Sequence, residues 1–439
     1  MIGAFSLLFM AALFSLGLHR TRQLKAFAIV ALLSAFYFVC FPTPASISGF
    51  GTSNAVTLFE ILLLIVVSAI ILHEEEELTI TQTLFITAGA IALLEARTVV
   101  SFIISFEALS ILSFVLVSHI KNSIHAEGAI KLFIAGAIAT GLLLLGTALY
   151  LIGGGNLLEP FSLHSSTLSL IGMFIILMGV FYKLTIVPMH GWAADTYAQI
   201  RPSHAAILSA LVKTVVAIAA FRLFAPILAE QSYFSLPLLV TLSLITMTLG
   251  NFLALFQQKI GRILAYSSIA HAGYILLAFA AVKSPFASTG LLYMLIAYLF
   301  MQTAVFLTLD ILRNRYAFQT LNDLKGLAKH NPLLSFFFSV QLFSLAGIPL
   351  LAGFMGKAVV FYAAVDAGLW YAVLIALINS ALSVGYYAWI IKHLYFDETT
   401  QDHSPLKHPL VILSQSILLM GTLYFGIFAS YIFIVGKSF

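Results

Sequence analysis

The chain has 439 residues, 61% of them hydrophobic and only 9% charged, against about a quarter charged in an ordinary soluble domain. Its net charge of +4 comes with no groove of interleaved aromatic and basic residues, so no nucleic-acid partner is expected, and its single cysteine, Cys40, excludes an internal disulfide and a Cys-ligated iron–sulfur cluster. A P-loop, a dinucleotide-binding glycine fingerprint after a strand and a His-Glu-x-x-His zinc pattern are all missing, so neither a cofactor nor a metal is expected in this chain.

Apolar runs of about 17 residues or more recur along the whole length, each long enough to cross a hydrocarbon core of about 30 Å as a helix. Fourteen are read: 2–18, 26–41, 56–72, 79–95, 98–119, 126–152, 165–191, 202–225, 235–255, 261–282, 287–312, 331–364, 369–395 and 407–435. They predict an all-α polytopic membrane protein, a single membrane domain over 1–439. No basic residue precedes the first run, and His19, Arg20, Arg22 and Lys25 follow it, the wrong order for a cleaved signal peptide.

Thirteen of the 21 Lys and Arg fall in loops after odd-numbered runs, and four (Arg97, Arg222, Lys283 and Lys437) on the other side. Positive residues collect on the cytoplasmic face, so both termini are expected on the non-cytoplasmic side. Glu74-Glu75-Glu76-Glu77 follows the third run on the basic side and reads as a solvated loop; Gly153-Gly154-Gly155 reads as a flexible turn.

The four remaining basic residues, Lys131, Lys183, Lys213 and Lys357, lie within the runs, as does Glu107. A lysine at the centre of a spanning helix costs about 2.5–3.5 kcal/mol even on the lenient insertion scale, so each requires a partner, water or a function. By a rise of about 1.5 Å per residue, Glu107 and Lys213 sit near the midplane and Lys357 in the outer half. Lys131, about five residues inside its run, either snorkels to the interface or joins the interior set. Burial and a neighbouring carboxylate act oppositely on a lysine's hold on its proton, so three lysines sharing one glutamate either fix helix packing or relay protons. His271, in Ser267-Ser268-Ile269-Ala270-His271, is either a further relay or a hydrogen-bonded core histidine.

Two runs carry a central proline: Lys183-Leu-Thr-Ile-Val-Pro188 in the seventh and Ser344-Leu-Ala-Gly-Ile-Pro349 in the twelfth, an internal spacing of about 160 residues. Proline removes a helical donor and clashes with the preceding turn. The twelfth run would be about 51 Å long as one helix, too long for the bilayer, so a break is the simpler reading. Paired broken helices are either packing kinks or the mark of a transport site lined by unwound backbone.

With these residues in view the chain resembles the antiporter-like subunits of respiratory complex I, the N type more than the M or L types, over about 79–395. The likeness rests on Phe106-Glu107-Ala108-Leu109-Ser110, on Ala126-Glu127-Gly128-Ala129-Ile130-Lys131, on Phe181 to Trp192 and Ile263 to His271, and above all on Ser344 to Lys357, SLAGIPLLAGFMGK. The resemblance implies two inverted five-helix repeats, 79–225 and 235–395, with helices 7 and 12 broken at Pro188 and Pro349. Peripheral helices would occupy 1–78 and a last helix 407–435. It also implies a proton relay in which Glu107 pairs with Lys183, Lys213 is central, Lys357 serves the exit half, and Lys131 matches the family's sixth-helix lysine. Three departures stand out: Trp192-Ala193-Ala194-Asp195 where Trp-x-Pro-Asp is usual, Gln199-Ile200-Arg201-Pro202-Ser203 where Gly-Ala-Pro-Thr-Pro is, and Gly261 in place of a common lysine.

The expected function is therefore a proton-translocating subunit of an NADH:quinone oxidoreductase complex in a bacterial inner membrane. FMN, iron–sulfur clusters and quinone would belong to partner subunits, and the partners would be neighbouring membrane subunits and lipid. The competing readings are a subunit of an Mrp-type sodium/proton antiporter or membrane hydrogenase, and a stand-alone secondary transporter.

Overall fold

The computed structural model of the chain describes residues 2–18, 21–41, 50–118, 123–162, 166–230, 232–398, 405–428 and 430–436. Of the residues in the charge pattern, His19, Arg20, Lys121 and Lys437 lie outside these.

In hydrocarbon every backbone N–H and C=O needs an internal partner, so apolar runs of this length fold as helices. They are α1 (Ile2–Ser15), α2 (Thr21–Cys40), α3 (Asn54–His73), α4 (Glu77–Glu95), α5 (Val99–Val117), α6 (Ser123–Ile152), α7 (Thr167–Leu184), the short α8 (Ala193–Gln199) and α9 (Pro202–Ala206). A π-helical turn, Ile207–Val212, joins α9 to α10 (Lys213–Glu230), so that Pro202–Glu230 is one continuous span. After it come α11 (Ser232–Leu255), α12 (Ile260–Ala280), α13 (Ala287–Tyr316), α14 (Leu327–His330), α15 (Pro332–Ala346), α16 (Ala352–Asp366), α17 (Trp370–Tyr395), α18 (Pro409–Ile427) and α19 (Ser430–Gly436).

Twelve helices among the described residues are long and apolar enough to cross a membrane. Two of the fourteen runs fall outside that set: α1 has only 14 residues, and the twelfth run is split into α15 and α16, 15 residues each. The eighth span passes its expected end at 225, carrying Pro226 inside α10. Caps mark several starts: Thr98 and Ser101 form a reciprocal box before α5, and Pro202, Pro332 and Pro409 occupy first-turn positions where no N–H is missed.

Contacts between loops confirm the alternation of crossings. At one end Lys259 bridges to Thr320, Arg315 donates to the Pro405 carbonyl, and Arg201 reaches Glu74 and Asp310. At the other, Phe50 bridges to Ala96, Arg97 donates to the Thr52 carbonyl, and the Val99 N–H bonds the Glu159 carbonyl. The first set belongs to loops after odd-numbered runs, and is called the basic end below.

The two proline-bearing runs break in parallel ways, but earlier than proline alone requires. α7 ends at Leu184 because Thr185 turns left-handed (φ 59), three residues before the cis Val187–Pro188 bond. α15 ends at Ala346 because Gly347 (φ 91) turns the same way, two residues before Pro349. The second break is tight: a Cβ on Gly353 would lie 1.9 Å from the Ser344 carbonyl oxygen, so only glycine lets α16 start there. α6 packs along α7 and α8 as α13 packs along α15 and α16. Close approach of α6 to α7 requires Gly146 and Gly172, where a Cβ on either would meet the other's carbonyl at 2.6 Å.

Three spans form the centre: in their apolar stretches Pro202–Glu230 and α12 are each 94% buried and α13 is wholly so, whereas the apolar stretch of α6 is only 28% buried and those of α2 and α17 33%. Two of the enclosed spans carry Lys213 and His271, and the buried lysines of the broken helices, Lys183 on α7 and Lys357 on α16, pack near them.

Candidate functional site

Lys213 is the first residue after the π-helical turn and is fully buried. A π turn adds a residue to the helical repeat and re-aims the side chains that follow, a feature common at functional positions. The Lys213 ammonium nitrogen donates to Thr185 Oγ1 at 2.9 Å, to the Ser268 carbonyl at 3.0 Å and to Ser268 Oγ at 2.7 Å. Its three possible donors thus meet three neutral acceptors and no carboxylate. Thr185 is the left-handed cap of α7, so the first helix break is wired directly to this lysine. Ser268 Oγ lies 2.8 Å from the Tyr298 hydroxyl, whose ring faces the Lys213 nitrogen at 5.8 Å.

Lys357 repeats the arrangement at the second break. Its nitrogen donates to the Leu345 and Ala346 carbonyls at 2.9 and 3.1 Å and to Ser380 Oγ at 3.1 Å. Those carbonyls are the free C-terminal end of α15, where partial negative charge favours a cation. The Tyr274 ring lies 5.1 Å from the nitrogen.

His271 stands between the two lysines on α12. Its Nδ1 is 2.9 Å from the Ser267 carbonyl, which can only accept, so Nδ1 carries a proton. The Leu345 carbonyl, which accepts from Lys357, also lies beside the buried ring. The ring packs against Tyr298 (centroids 5.4 Å apart) from the Lys213 site and Tyr274 (5.8 Å) from the Lys357 site.

At the other end of this row Lys183 occupies the last turn of α7, 4% exposed. Sequence reasoning expects a contact pair with Glu107, and the structure does not make one: no ion pair joins them. The carboxylate of Glu107 instead accepts from Thr140 Oγ1 of α6 at 3.1 and 2.9 Å, while the Lys183 nitrogen lies 5.5 Å from the Phe114 ring centroid. The two charges remain close enough to interact electrostatically. Glu107, ninth residue of α5, is only partly buried, so a midplane carboxylate reaches the outer face of the chain.

Lys131 is placed apart from the buried row. Its side chain is 38% exposed and bonds Glu127 and Asp195, each at 2.5 Å, with Arg262 2.8 Å from the other oxygen of Asp195. Four charges near the basic end thus satisfy one another. The departure at Gly261 also has a local account, because Arg313 fills the space beside it and caps α8 through the Ala198 and Ile200 carbonyls.

The glutamate run after α3 is solvated only in part: Glu75 is exposed, but Glu74 is drawn inward. Glu74 is 1% exposed, and Arg201 binds Glu74 at 2.6 Å, Glu76 at 2.6 Å and Asp310 at 3.4 Å; His73 Nε2 lies 3.2 Å from the other oxygen of Asp310. Burial pulls the Arg201 pKa down, but Glu74, Asp310 and Glu76 more than offset this and hold it above its ordinary value. A cavity of about 350 Å³ at the basic end opens onto this cluster and is lined by His73, Arg201, Asp310 and His408 among others. Arg201 belongs to the Gln-Ile-Arg-Pro-Ser departure, so a variant loop and an unusual acidic turn are partners.

Several groups that join the row were missed from the sequence: Thr185, Ser268, Tyr298 and Ser380, and beyond them Asn251, which hydrogen-bonds Asn379 at 3.2 Å and accepts from the Tyr386 hydroxyl at 3.0 Å. The available signal was polar residues at helical spacing within apolar runs. What hid them was that each bonds across helices whose contacts no local pattern reveals.

The architecture and sequence place the chain among known proteins. The family model described as NADH:quinone oxidoreductase/Mrp antiporter, TM, matches residues 96–383. NADH-quinone oxidoreductase subunit N of Trichlorobacter lovleyi is 35% identical over 358 residues, 77% of this chain and 72% of the relative. That of Flavobacterium johnsoniae is 30% identical over 98% of this chain and 96% of the relative. F420H2 dehydrogenase subunit N of Methanosarcina mazei is 33% identical over 80% and 75%. In fold, the chain is similar to a subunit of respiratory complex I from Thermus thermophilus (TM-score 0.82, 24% identity, 96% of this chain and 97% of that one) and of the Mrp complex from Dietzia (TM-score 0.86, 21%, 100% and 95%). A chain with these spans, these two broken helices and this likeness over more than half its length belongs to the transmembrane antiporter-like subunit family of NADH:quinone oxidoreductases and Mrp antiporters.

Proposed function

We propose that this chain is the N-type proton-translocating membrane subunit of an NADH:quinone oxidoreductase complex, moving protons through Glu107, Lys183, Lys213, His271 and Lys357. The observation that carries this is the repeated device at the two helix breaks. Each break presents backbone or cap oxygens to a buried lysine, with His271 and two tyrosine rings between them. A lysine held only by neutral acceptors has no fixed counter-charge, so its hold on a proton follows charge displacement nearby. Thr140 and the Phe114 ring keep Glu107 and Lys183 coupled without locking them in contact. Lys131, satisfied in its own cluster, serves as an anchor beside this row.

On this reading the repeats run over 79–225 and 235–395. Five crossings in each make the second begin on the opposite side, as inverted repeats require. The basic end is cytoplasmic by the distribution of Lys and Arg. FMN, iron–sulfur clusters and quinone belong to partner subunits. A half-buried carboxylate at the midplane of an outward-facing helix pair is expensive against lipid, so the α5–α6 face fits a neighbouring membrane subunit that offers Glu107 a polar or cationic group. The test is purification of the tagged protein in mild detergent, with assays for flavin, iron–sulfur signal and NADH:quinone activity in the co-purifying material. Monomeric, cofactor-free protein would overturn the assignment. The Mrp reading shares the same fold, to which the Dietzia and complex I structures are equally similar; sodium-dependent transport with no redox partner would select it.

A further inference from the structure

Outside the lysine row, α18 makes a set of polar contacts that converge on the second helix break. Ser414 Oγ donates to the Ala69 carbonyl of α3 at 2.7 Å, Thr422 Oγ1 donates to Gln341 Oε1 of α15 at 2.8 Å, and the Tyr293 hydroxyl of α13 donates to the Phe425 carbonyl in the last turn of α18. Between helices in a bilayer, where lipid tails are as apolar as leucine, such bonds help to fix one helix against another. Gly426 lies against the break itself, since a Cβ there would strike the Leu350 carbonyl oxygen. Leu350 is left-handed (φ 73), a conformation a leucine keeps only when its surroundings hold it.

The seam between α13, α15 and α18 also contains buried polar atoms with no hydrogen-bond partner among the described residues. They are Gln341 Nε2, Thr308 Oγ1 and both polar atoms of Gln415, on side chains that are each 1% exposed. Thr308 is two turns from Met301, whose sulfur accepts from Ser344 of α15, so it points into this seam. Gln415 is two turns before Thr422, on the face of α18 that meets Gln341. By helix rise Thr308 stands at a level between the two glutamines. Buried polar atoms in native proteins are satisfied, and where the chain supplies no partner bound water does so. Gln341 is one turn before Leu345, whose carbonyl, with that of Ala346, holds Lys357.

We infer that Gln341, Gln415 and Thr308 hold a small cluster of bound water which, with the Thr422–Gln341 bond, clamps α15 to α18 and so positions the carbonyl end that binds Lys357. Thr422, Gln341 and Gln415 are then positioning residues that act through Lys357 and carry no proton themselves. This rests on the relay reading above and gives α18 a part in it.

Thr422→Val keeps the shape of the side chain and removes only its hydroxyl. In the assembled complex it should lower the number of protons moved per electron several-fold, and Thr422→Ser should restore most of the loss. In Lys357→Glu, whose carboxylate cannot donate to those carbonyls, Thr422→Val should cost nothing further, because coupled residues are not additive. Cryo-electron microscopy of the complex should show ordered water bridging Gln341 and Gln415, and Gln415→Leu should remove it and lower pumping as Thr422→Val does. Wild-type pumping in Thr422→Val, a loss matched by failed assembly, an equal loss in the Lys357→Glu background, or a dry seam would each overturn the inference. If the relay reading itself failed, Lys357→Ala would pump normally, whereas failure of the clamp alone leaves Lys357→Ala impaired.

Discussion

Replacing Arg201 with leucine removes a cation that touches Glu74, Glu76 and Asp310 together. Glu74 and Asp310 are 1% and 3% exposed, so neither carboxylate can be rescued by bulk water. His73 remains for Asp310, and the Glu75 and Glu76 N–H groups, each 3.0 Å away, remain for Glu74. Breaking a buried ion pair from one side costs about 3–5 kcal/mol because the partner is left charged and unpaired. Since Arg201 is 20% exposed at its side chain and the carboxylates keep other donors, the lower end, about 3 kcal/mol, is expected. That is roughly a hundredfold in the folding equilibrium, enough to lower the midpoint of SDS-induced unfolding in mixed micelles clearly. Adding Glu74→Gln to Arg201→Leu should recover part of the loss, since the uncompensated charge is then removed. An Arg201→Leu protein that unfolds at the wild-type midpoint would refute the claim that this cluster holds α3, α4 and α13 together.

Glu107→Gln should depress coupled proton pumping at least about tenfold, the effect of about 1.4 kcal/mol of lost coupling, while complex assembly on native gels is unchanged; Glu107→Asp should retain part of the pumping because it keeps the charge. Lys357→Ala should impair translocation with flavin and quinone-reactive subunits still present, and Lys357→Glu should keep part of the activity by restoring a protonatable group; normal stoichiometry in Lys357→Ala would make the residue an interface anchor only. After removal of Cys40, cysteines placed at Arg315 and Lys325 should react with an impermeant maleimide from the cytoplasmic side and one at Lys283 from the other, and the reverse pattern would invert the orientation.

Periodic apolar runs locate the spans because hydrocarbon leaves a backbone no alternative to the helix, and that constraint acts on every residue alike. The breaks are legible for a similar reason, since Pro188 and Pro349 forbid a continuous ladder. Their true starts at Thr185 and Gly347 depend on left-handed caps that only the packed structure selects. Buried lysines announce themselves by their cost, but their partners do not: Thr140 sits where Lys183 was expected, and the π-helical turn before Lys213 has no local signature. The glutamate run shows the opposite error. Charge density reads as solvent exposure until Arg201, more than a hundred residues away, supplies the compensating cation.

The central claim is that protons pass through Lys213, and proton uptake measured against electron transfer in the same inverted vesicles tests it most directly. Lys213→Ala leaves Thr185 and both Ser268 oxygens without their shared donor, and removes a protonatable group that bonds to the first helix break. With the complex assembled, the ratio of protons moved to electrons transferred should fall well below wild type, and electron transfer should slow if coupling is tight. An unchanged ratio in the assembled Lys213→Ala complex would contradict the account.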